Sequence, residues 1–242
     1  MKRVKQSNSL KSFALIFIFP CIANAEGLLD YSSTNIQALY GSNYELGPEE
    51  RTIFTLEHAS GFEYGDNYAF IDYTKDSNSY YMEWTPRLSL SKISGNDIGF
   101  GPIKDIFLIA VYELPSDIPI RDGYGVGLDW HLPTFQYFKT NIFQRDDPRH
   151  AGDATLLTIA WGADYKINTV PLRLEGYCDF QGAEGESDSY INCVPRFLVD
   201  IGSFSGRSGT LFAGVEWQYW NKKFGVDGVR ESVIQAQIKL IL

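Results

Sequence analysis

Arg230-Glu-Ser-Val-Ile-Gln-Ala-Gln-Ile-Lys-Leu-Ile-Leu242 is the stretch on which the reading of this chain turns. Ile234, Ala236, Ile238, Leu240 and Leu242 fall on one parity; Val233, Gln235, Gln237, Lys239 and Ile241 fall on the other. Successive side chains of a strand point to opposite faces, so a period of two sets a wholly apolar face against one with a polar centre. The run is also about twice as long as a usual globular strand and long enough to cross a bilayer at a tilt.

The same alternation extends backwards through the sequence. In residues 210–220, Leu211, Ala213, Val215, Trp217 and Tyr219 oppose Thr210, Phe212, Gly214, Glu216, Gln218 and Trp220. In residues 124–132, Tyr124, Val126, Leu128, Trp130 and Leu132 oppose Gly125, Gly127, Asp129 and His131. Such segments recur near 31–40, 51–59, 66–75, 79–91, 104–113, 122–132, 135–145, 153–165, 170–180, 189–202, 209–220 and 230–242, with Gly, Pro, Asn and Asp clustered between them. Twelve is an even number, which brings both ends of the wall to the periplasmic side. Aromatic residues, 15% of the chain, often sit at segment ends, where girdles meet the membrane–water interface. After residue 25 no run of 18 apolar residues offers a transmembrane helix. The pattern therefore predicts an all-β fold: a transmembrane antiparallel up-and-down β-barrel of twelve strands. A soluble periplasmic sandwich or lipocalin-like barrel also alternates, but its strands are shorter.

Residues 1–25 read as a cleaved signal peptide. Lys2, Arg3, Lys5 and Lys11 form a positive start, Phe13 to Phe19 an apolar centre, and Ala23-Asn24-Ala25 a small-x-small cleavage pattern. Phe19-Pro20 ahead of Cys21 is not the small-residue pattern of a lipidation site. The barrel domain is then 26–242. Cleavage removes four of the 21 basic residues and none of the 30 acidic ones, leaving 17 against 30. A chain this acidic does not bind nucleic acid through its overall field.

The inward parity carries the candidate chemistry. It offers Glu57, Asp72, Tyr81, Glu83, Arg87, Asp129, Arg173, Glu175, Arg196, Asp200 and Glu216, with Lys139, Tyr68, Phe70, Tyr137 and Phe212 among them. Charges of both signs interleaved with aromatic rings suit a neutral polar solute: rings take a base, and carboxylates accept from ribose hydroxyls. A ring of one sign, as an anion filter needs, is not what the sequence offers. Interior charges of small barrels also pair across the lumen and fill it. His58, His131 and His150 are the only histidines; Asp147 and His150 in the loop 146–150 are the one acid–base pair a barrel hydrolase would use. There is no Gly-rich phosphate cradle and no metal-spaced His/Cys cluster, so no cofactor is expected.

Cys178 and Cys193 are the cysteines left after cleavage, in a chain that passes through an oxidising periplasm. Placed directly opposite each other, they align Leu174 with Phe197 and Leu172 with Val199 on the apolar face. The same register sets Glu175 against Arg196 on the inward face. A slip of one residue would turn charge to lipid. A disulfide and the hydrophobic pattern thus select one alignment.

Residues 84–102, Trp-Thr-Pro-Arg-Leu-Ser-Leu-Ser-Lys-Ile-Ser-Gly-Asn-Asp-Ile-Gly-Phe-Gly-Pro, resemble a hallmark of the Tsx/OmpK family of nucleoside-specific outer-membrane channels. The matching parts are Pro86, Arg87 and Ser89, then Ser94-Gly95 and Asp97-Ile98 with Phe100-Gly101-Pro102. Thr55 to Asp66 is similar to the family's second and third strands, and Glu216 to Val229 to the last loop of its members. The resemblance implies a monomeric twelve-stranded barrel with a narrow lumen in the outer membrane of a Gram-negative bacterium. Nucleosides and deoxynucleosides would diffuse through it over weak successive sites, Arg87 and Glu83 beside the motif being the first candidates for contact. It also implies bacteriophage or colicin binding at the loops, and insertion by the barrel-assembly machinery, although Leu242 stands where the family usually ends in Phe. The competing readings are a structural or surface-receptor barrel without specific transport and, more remotely, a barrel hydrolase.

Overall fold

The computed structural model describes residues 29–242; the expected signal segment 1–25, its cleavage site and Cys21 lie outside the described residues. Twelve strands follow in order: β1 (Leu29–Ser42), β2 (Glu50–Phe62), β3 (Gly65–Thr74), β4 (Ser79–Ser89), β5 (Ile103–Pro115), β6 (Arg121–Trp130), β7 (Tyr137–Asp146), β8 (Asp153–Ile167), β9 (Val170–Gln181), β10 (Tyr190–Asp200), β11 (Leu211–Asn221) and β12 (Arg230–Ile241). Each pairs antiparallel with its neighbour in sequence, and β12 closes on β1 through pairs such as Gln37 with Lys239. All twelve segments expected from the alternation are therefore strands.

Three of them end two residues earlier than the alternation predicts: β6 stops at Trp130 instead of 132, and the other two, β4 and β10, stop for one shared reason. Instead of running to 91, β4 stops at Ser89, whose hydroxyl accepts from the Lys92 amide and caps the short helix α1 (Leu90–Ser94). Instead of running to 202, β10 stops at Asp200, whose carboxylate accepts from the Ser203 amide at the start of a 3-10 turn. In both places a short polar side chain offers the backbone a turn that competes with the ladder.

The wall is inverted relative to a soluble barrel. Along β12, Ile234 and Ile238 are 68% and 55% exposed, whereas Val233, Gln235, Gln237 and Lys239 are buried. Around the outside Ile36, Phe54, Leu88, Leu108, Val126, Ile142 and Phe197 are likewise exposed. A closed ladder leaves no unpaired strand edge, and an apolar outer belt needs a hydrocarbon solvent. Tyr40, Tyr73 and Tyr80 face outward at one set of strand ends and Tyr165 at the other, while Trp84 stacks on Tyr112 at 5.6 Å. Their amphipathic rings suit the headgroup level.

Inside, the β5–β8 half is filled by apolar side chains: Phe107, Ile109, Val111, Phe143 and Leu156 form one cluster. The strand between β5 and β7, β6, makes room with glycine. A Cβ on Gly127 would lie 3.1 Å from Ile109 and one on Gly123 3.1 Å from Val111. The polar interior is thereby displaced towards the rest of the wall.

The β9–β10 register is the one the cysteines predict. Cys178 and Cys193 pair directly, with Cα atoms 4.1 Å apart and a disulfide between them. Leu174 opposes Phe197, Leu172 opposes Val199, and Glu175 opposes Arg196.

Candidate functional site

Three ion-pair clusters stand one above another in the lumen. The lowest is built by β3, β4, β6 and β7. Arg87 lies between Asp66, at 3.1 Å, and Asp129, and its guanidinium covers the Phe107 ring at 3.8 Å. Lys139 reaches Asp66 at 3.3 Å. Strands β3 and β7 are four places apart around the wall, so this pair spans the interior.

The central cluster joins β1, β2 and β9 to β12. Arg196 meets Glu216 at 2.7 Å, Glu57 at 3.2 Å and Glu175 at 3.5 Å. Lys239 meets Glu175 at 2.6 Å and Glu57 at 3.6 Å. Gln37 also donates to Glu57 at 2.9 Å and Gln235 to Glu216 at 2.8 Å. Charge-assisted bonds of this density hold each side chain in one place.

The third cluster closes the loop end. Arg145 holds Glu113 at 2.5 Å and Glu184 of the loop 182–189 at 3.3 Å; Arg121 also holds Glu113 at 2.5 Å. Glu184 in turn accepts from the Asp147 amide at 2.7 Å. Asp147 is bound by Arg149 at 2.6 Å; burial pushes its carboxyl up, but the Arg149 hydrogen bonds win and hold it at about 2. On the other side of the mouth, fully buried Lys223 pairs with Glu231 at 2.5 Å, and the Tyr44 hydroxyl donates to Gln235 at 2.6 Å. The loops thus fold over the mouth and do not stand away from it.

Between the central and mouth clusters lie carboxylates without cations. Asp72 accepts from the Thr55 hydroxyl at 2.5 Å, and Asp179 from the Thr158 hydroxyl at 2.6 Å. Glu83 accepts from Tyr81 and Thr85, both at 3.2 Å.

Most residues singled out in the sequence fall into these groups, but not together. Glu83 and Arg87 share one face of one strand, yet Arg87 belongs to the lowest cluster and Glu83 to the upper carboxylates. Arg173 sits near the lower rim, bound to Asp164 at 2.8 Å with its guanidinium 4.4 Å over Phe212. The Asp200 carboxylate is spent on the β10–β11 turn, accepting from Ser203, Ser208 and Gly209, and does not point at a solute path. Asp147 and His150 do not form an acid–base pair: the Asp147 carboxylate serves Arg149, and His150 meets Asp147 only through the backbone. Residues missed in the sequence include Gln37, Glu113, Arg121, Arg145, Asp179 and Lys239. Their parity matches that of residues that were chosen, so the signal was present in the alternation itself.

The stretch 84–102 builds the lower rim more than it lines the lumen. Asp105 accepts from the Ser89 and Ser91 hydroxyls at 2.5 and 2.8 Å, and Lys92 ties α1 to the Phe62 carbonyl at 2.7 Å. Gly65 packs against this segment so closely that a Cβ would lie 1.9 Å from the Arg87 carbonyl oxygen. Arg87 alone sends its charge from the motif into the barrel.

Comparison with known proteins agrees with this architecture. No protein-family model matches the sequence. The chain is 23% identical over 141 residues to the outer membrane protein OmpK of Vibrio parahaemolyticus, a match covering 57% of this chain. It spans about half the length of that curated relative, 48%. Among solved structures, the NanC porin superposes with a TM-score of 0.54 at 11% identity, covering 86% of this chain and 98% of that one. The KdgM porin superposes with a TM-score of 0.53 at 8% identity, covering 87% and 98%. The porin likenesses concern the fold, and the OmpK match accords with the Tsx/OmpK-like resemblance. With its closed ladder and apolar belt, the chain is a β-barrel of the Gram-negative outer membrane.

Proposed function

We propose that the barrel is a passive channel for small polar solutes, nucleosides and deoxynucleosides foremost. The observation that carries the reading is the polar interior running from the Arg87 cluster through the Arg196 cluster to the mouth, enclosed by an apolar belt. Carboxylates and amides at successive heights offer weak, repeated hydrogen bonding, and a channel needs binding that also releases. Tyr68, Phe70 and Tyr81 make a run of tilted rings, 6.0 and 5.7 Å apart, on which a base can stack. The OmpK match supports this reading, as does the Tsx/OmpK-like resemblance.

The test is flux through the purified barrel in liposomes, nucleosides against sugars of similar size. Nucleoside flux should be faster and should saturate. Arg87→Ala or Glu83→Ala should alter that flux or its saturation while the barrel stays heat-modifiable on gels. Equal, unsaturable flux for both solutes would reduce the reading to a general pore.

One observation favours a second reading, a structural or receptor barrel. The Arg196–Glu57 and Lys139–Asp66 pairs cross the interior as struts, and loops cover the mouth. Absence of any solute flux would establish that reading. Under either one, the loops after β1, β3, β5, β7, β9 and β11 face outward and are the surface a phage or colicin would use. Tags at the exposed positions Glu186 and Asp227 should be labelled on intact cells and a tag at Asp97 should not; the reverse pattern would invert the orientation.

A further inference from the structure

We propose that the outer rim of the β9–β12 wall carries a seat for a phosphorylated glycolipid of the outer leaflet, with a cleft over Phe180 and Ile191 for its sugar head and Arg230 for its phosphate. The proposal goes beyond solute passage and holds for a channel and for a closed barrel alike.

The ladder sets one row of side chains across these strands. Phe180 lies opposite Ile191, Ile191 opposite Asn221, and Asn221 opposite Arg230. All of them share the outward parity of the Cys178–Cys193 pair, which occupies the next outward positions below, so the row faces the membrane at the top of the wall. It is apolar at one end and cationic at the other. A cleft of about 300 Å³ opens on its apolar end, with Phe180, Ile191 and Asn221 from the row and Ser189 and Lys222 from the loops above. That volume is at the small end of ordinary ligand sites.

The two cations of this region have different roles. Lys222 has left-handed backbone, φ 54°, where β11 ends, and its ammonium binds Asp188 at 2.8 Å and Asp227 at 3.0 Å. It is thereby spent on tying the β9–β10 loop to the β11–β12 loop, which holds the cleft walls in place. Arg230 is not spent. It is exposed, makes no ion pair among the described residues, and reaches the Asn221 Oδ1 only at 3.5 Å. Its planar fork of donors suits a phosphate, and Asn221 and Ser189 beside it can exchange hydrogen bonds with sugar hydroxyls.

The surface below the row identifies the occupant as a lipid and not a free sugar phosphate. Tyr219 lies opposite both Cys193 and Ser232. Trp217 packs on Tyr219 with ring centroids 5.8 Å apart, and its Nε1 donates to the Ser232 hydroxyl at 3.0 Å, which fixes the ring at the level where amphipathic aromatics meet headgroups. Exposed Ile234 follows in the belt. Cleft, aromatic girdle and apolar belt are thus continuous, and a molecule with phosphate, sugar and acyl chains matches them in turn.

Another part of the rim repels such a head. Asp122, Asp146 and Asp153 form the outward row of β6, β7 and β8, Asp122 opposite Asp146 and Asp146 opposite Asp153, and none of them makes an ion pair among the described residues. A phosphate there meets like charge with no cation between. The wall therefore has a side that takes the glycolipid and a side that does not.

The test is native mass spectrometry of the detergent-folded full barrel titrated with diphosphoryl lipid A, with phosphatidylglycerol and phosphatidylcholine as parallel probes. A single saturating lipid A adduct is expected at concentrations where neither phospholipid gives one. Arg230→Gln should weaken it about tenfold, the worth of one charge-assisted hydrogen bond. Ile191→Trp, which fills the cleft, should abolish it, and Asp122→Asn on the acidic row should leave it unchanged. Each variant is checked for a heat-modifiable band, and Arg230→Gln, an exposed polar change, decides the matter if Ile191→Trp does not fold. The absence of a saturating lipid A adduct overturns the seat. So does a phosphatidylglycerol adduct of equal strength, or binding at parent strength by either folded variant of the row.

Discussion

The two faces of the β9–β10 hairpin are held together in different ways. On the lipid face the partners across the hairpin are adjacent in the ladder. Cys178 bonds Cys193, Leu174 meets Phe197 and Leu172 meets Val199, all across the one turn. On the lumen face the local pair, Glu175 with Arg196, is the longest of the Arg196 contacts at 3.5 Å. Arg196 lies nearer Glu216 on the next strand and Glu57 on β2, which is 139 residues away in sequence. One register therefore serves two tasks. The outer face fixes the hairpin, and the inner face fixes the barrel around it.

If that contrast is right, the largest loss follows from an inner-face change. Arg196→Met leaves Glu57, Glu175 and Glu216 with Lys239 as their one cation, and breaking a buried pair by removing one partner costs about 3–5 kcal/mol. The urea midpoint for loss of the heat-modifiable form measures it. A cost near zero would mean that water, not Arg196, carries the cluster. The neighbouring residue tests the other face. Phe197→Arg puts a charge against lipid, which costs about 2–4 kcal/mol near the midplane, in the same assay. Equal tolerance of Arg at 197 in detergent and in bilayer would contradict the belt.

Replacing both cysteines with serine should act less, by about 2–3 kcal/mol for so short a loop, and should not disturb the lumen clusters. Neither cysteine should react with a thiol reagent in unreduced outer membrane. The smallest effect is at the mouth. The Asp147 carboxyl sits at about 2, below its ordinary 3.8, so its bond to Arg149 is complete above about pH 4 and is lost as pH falls from there through about 2. Faster amide exchange in residues 147–152 on acidification, imitated at neutral pH by Asp147→Asn, is the expected sign. Exchange unchanged by either would show that Glu184, not Asp147, holds that loop.

How much of this was legible beforehand depended on whether a partner lies next door in the ladder. The twelve strands, the inward parity of Glu57, Arg87 and Glu216, and the Cys178–Cys193 register all follow from a period of two and antiparallel pairing. The strand ends at Ser89 and Asp200 did not, because capping competes with alternation locally and leaves the parity unbroken. The parity that makes Asp200 a lumen candidate gives the face of its side chain but not whether a turn consumes its carboxylate. Glu83 and Arg87 stand beside the motif on one face of one strand, which makes both candidates for contact, but the wall separates them into different tiers.

The sequence by itself determined the wall: which residues are strand, which face meets lipid, which neighbours pair and where the disulfide closes. Each of these is a relation between adjacent positions or adjacent strands, and the side-chain period and the cost of charge in hydrocarbon suffice to fix it. Only the tertiary structure decided the interior. Closing β12 on β1 brings Lys239 to Glu175 and Arg196 to Glu57, and fills the β5–β8 half with the Phe107–Phe143 cluster. Those contacts run across the lumen between strands that are not neighbours. Their heights depend on the tilt and stagger accumulated around the whole barrel, a closure property that no single segment encodes.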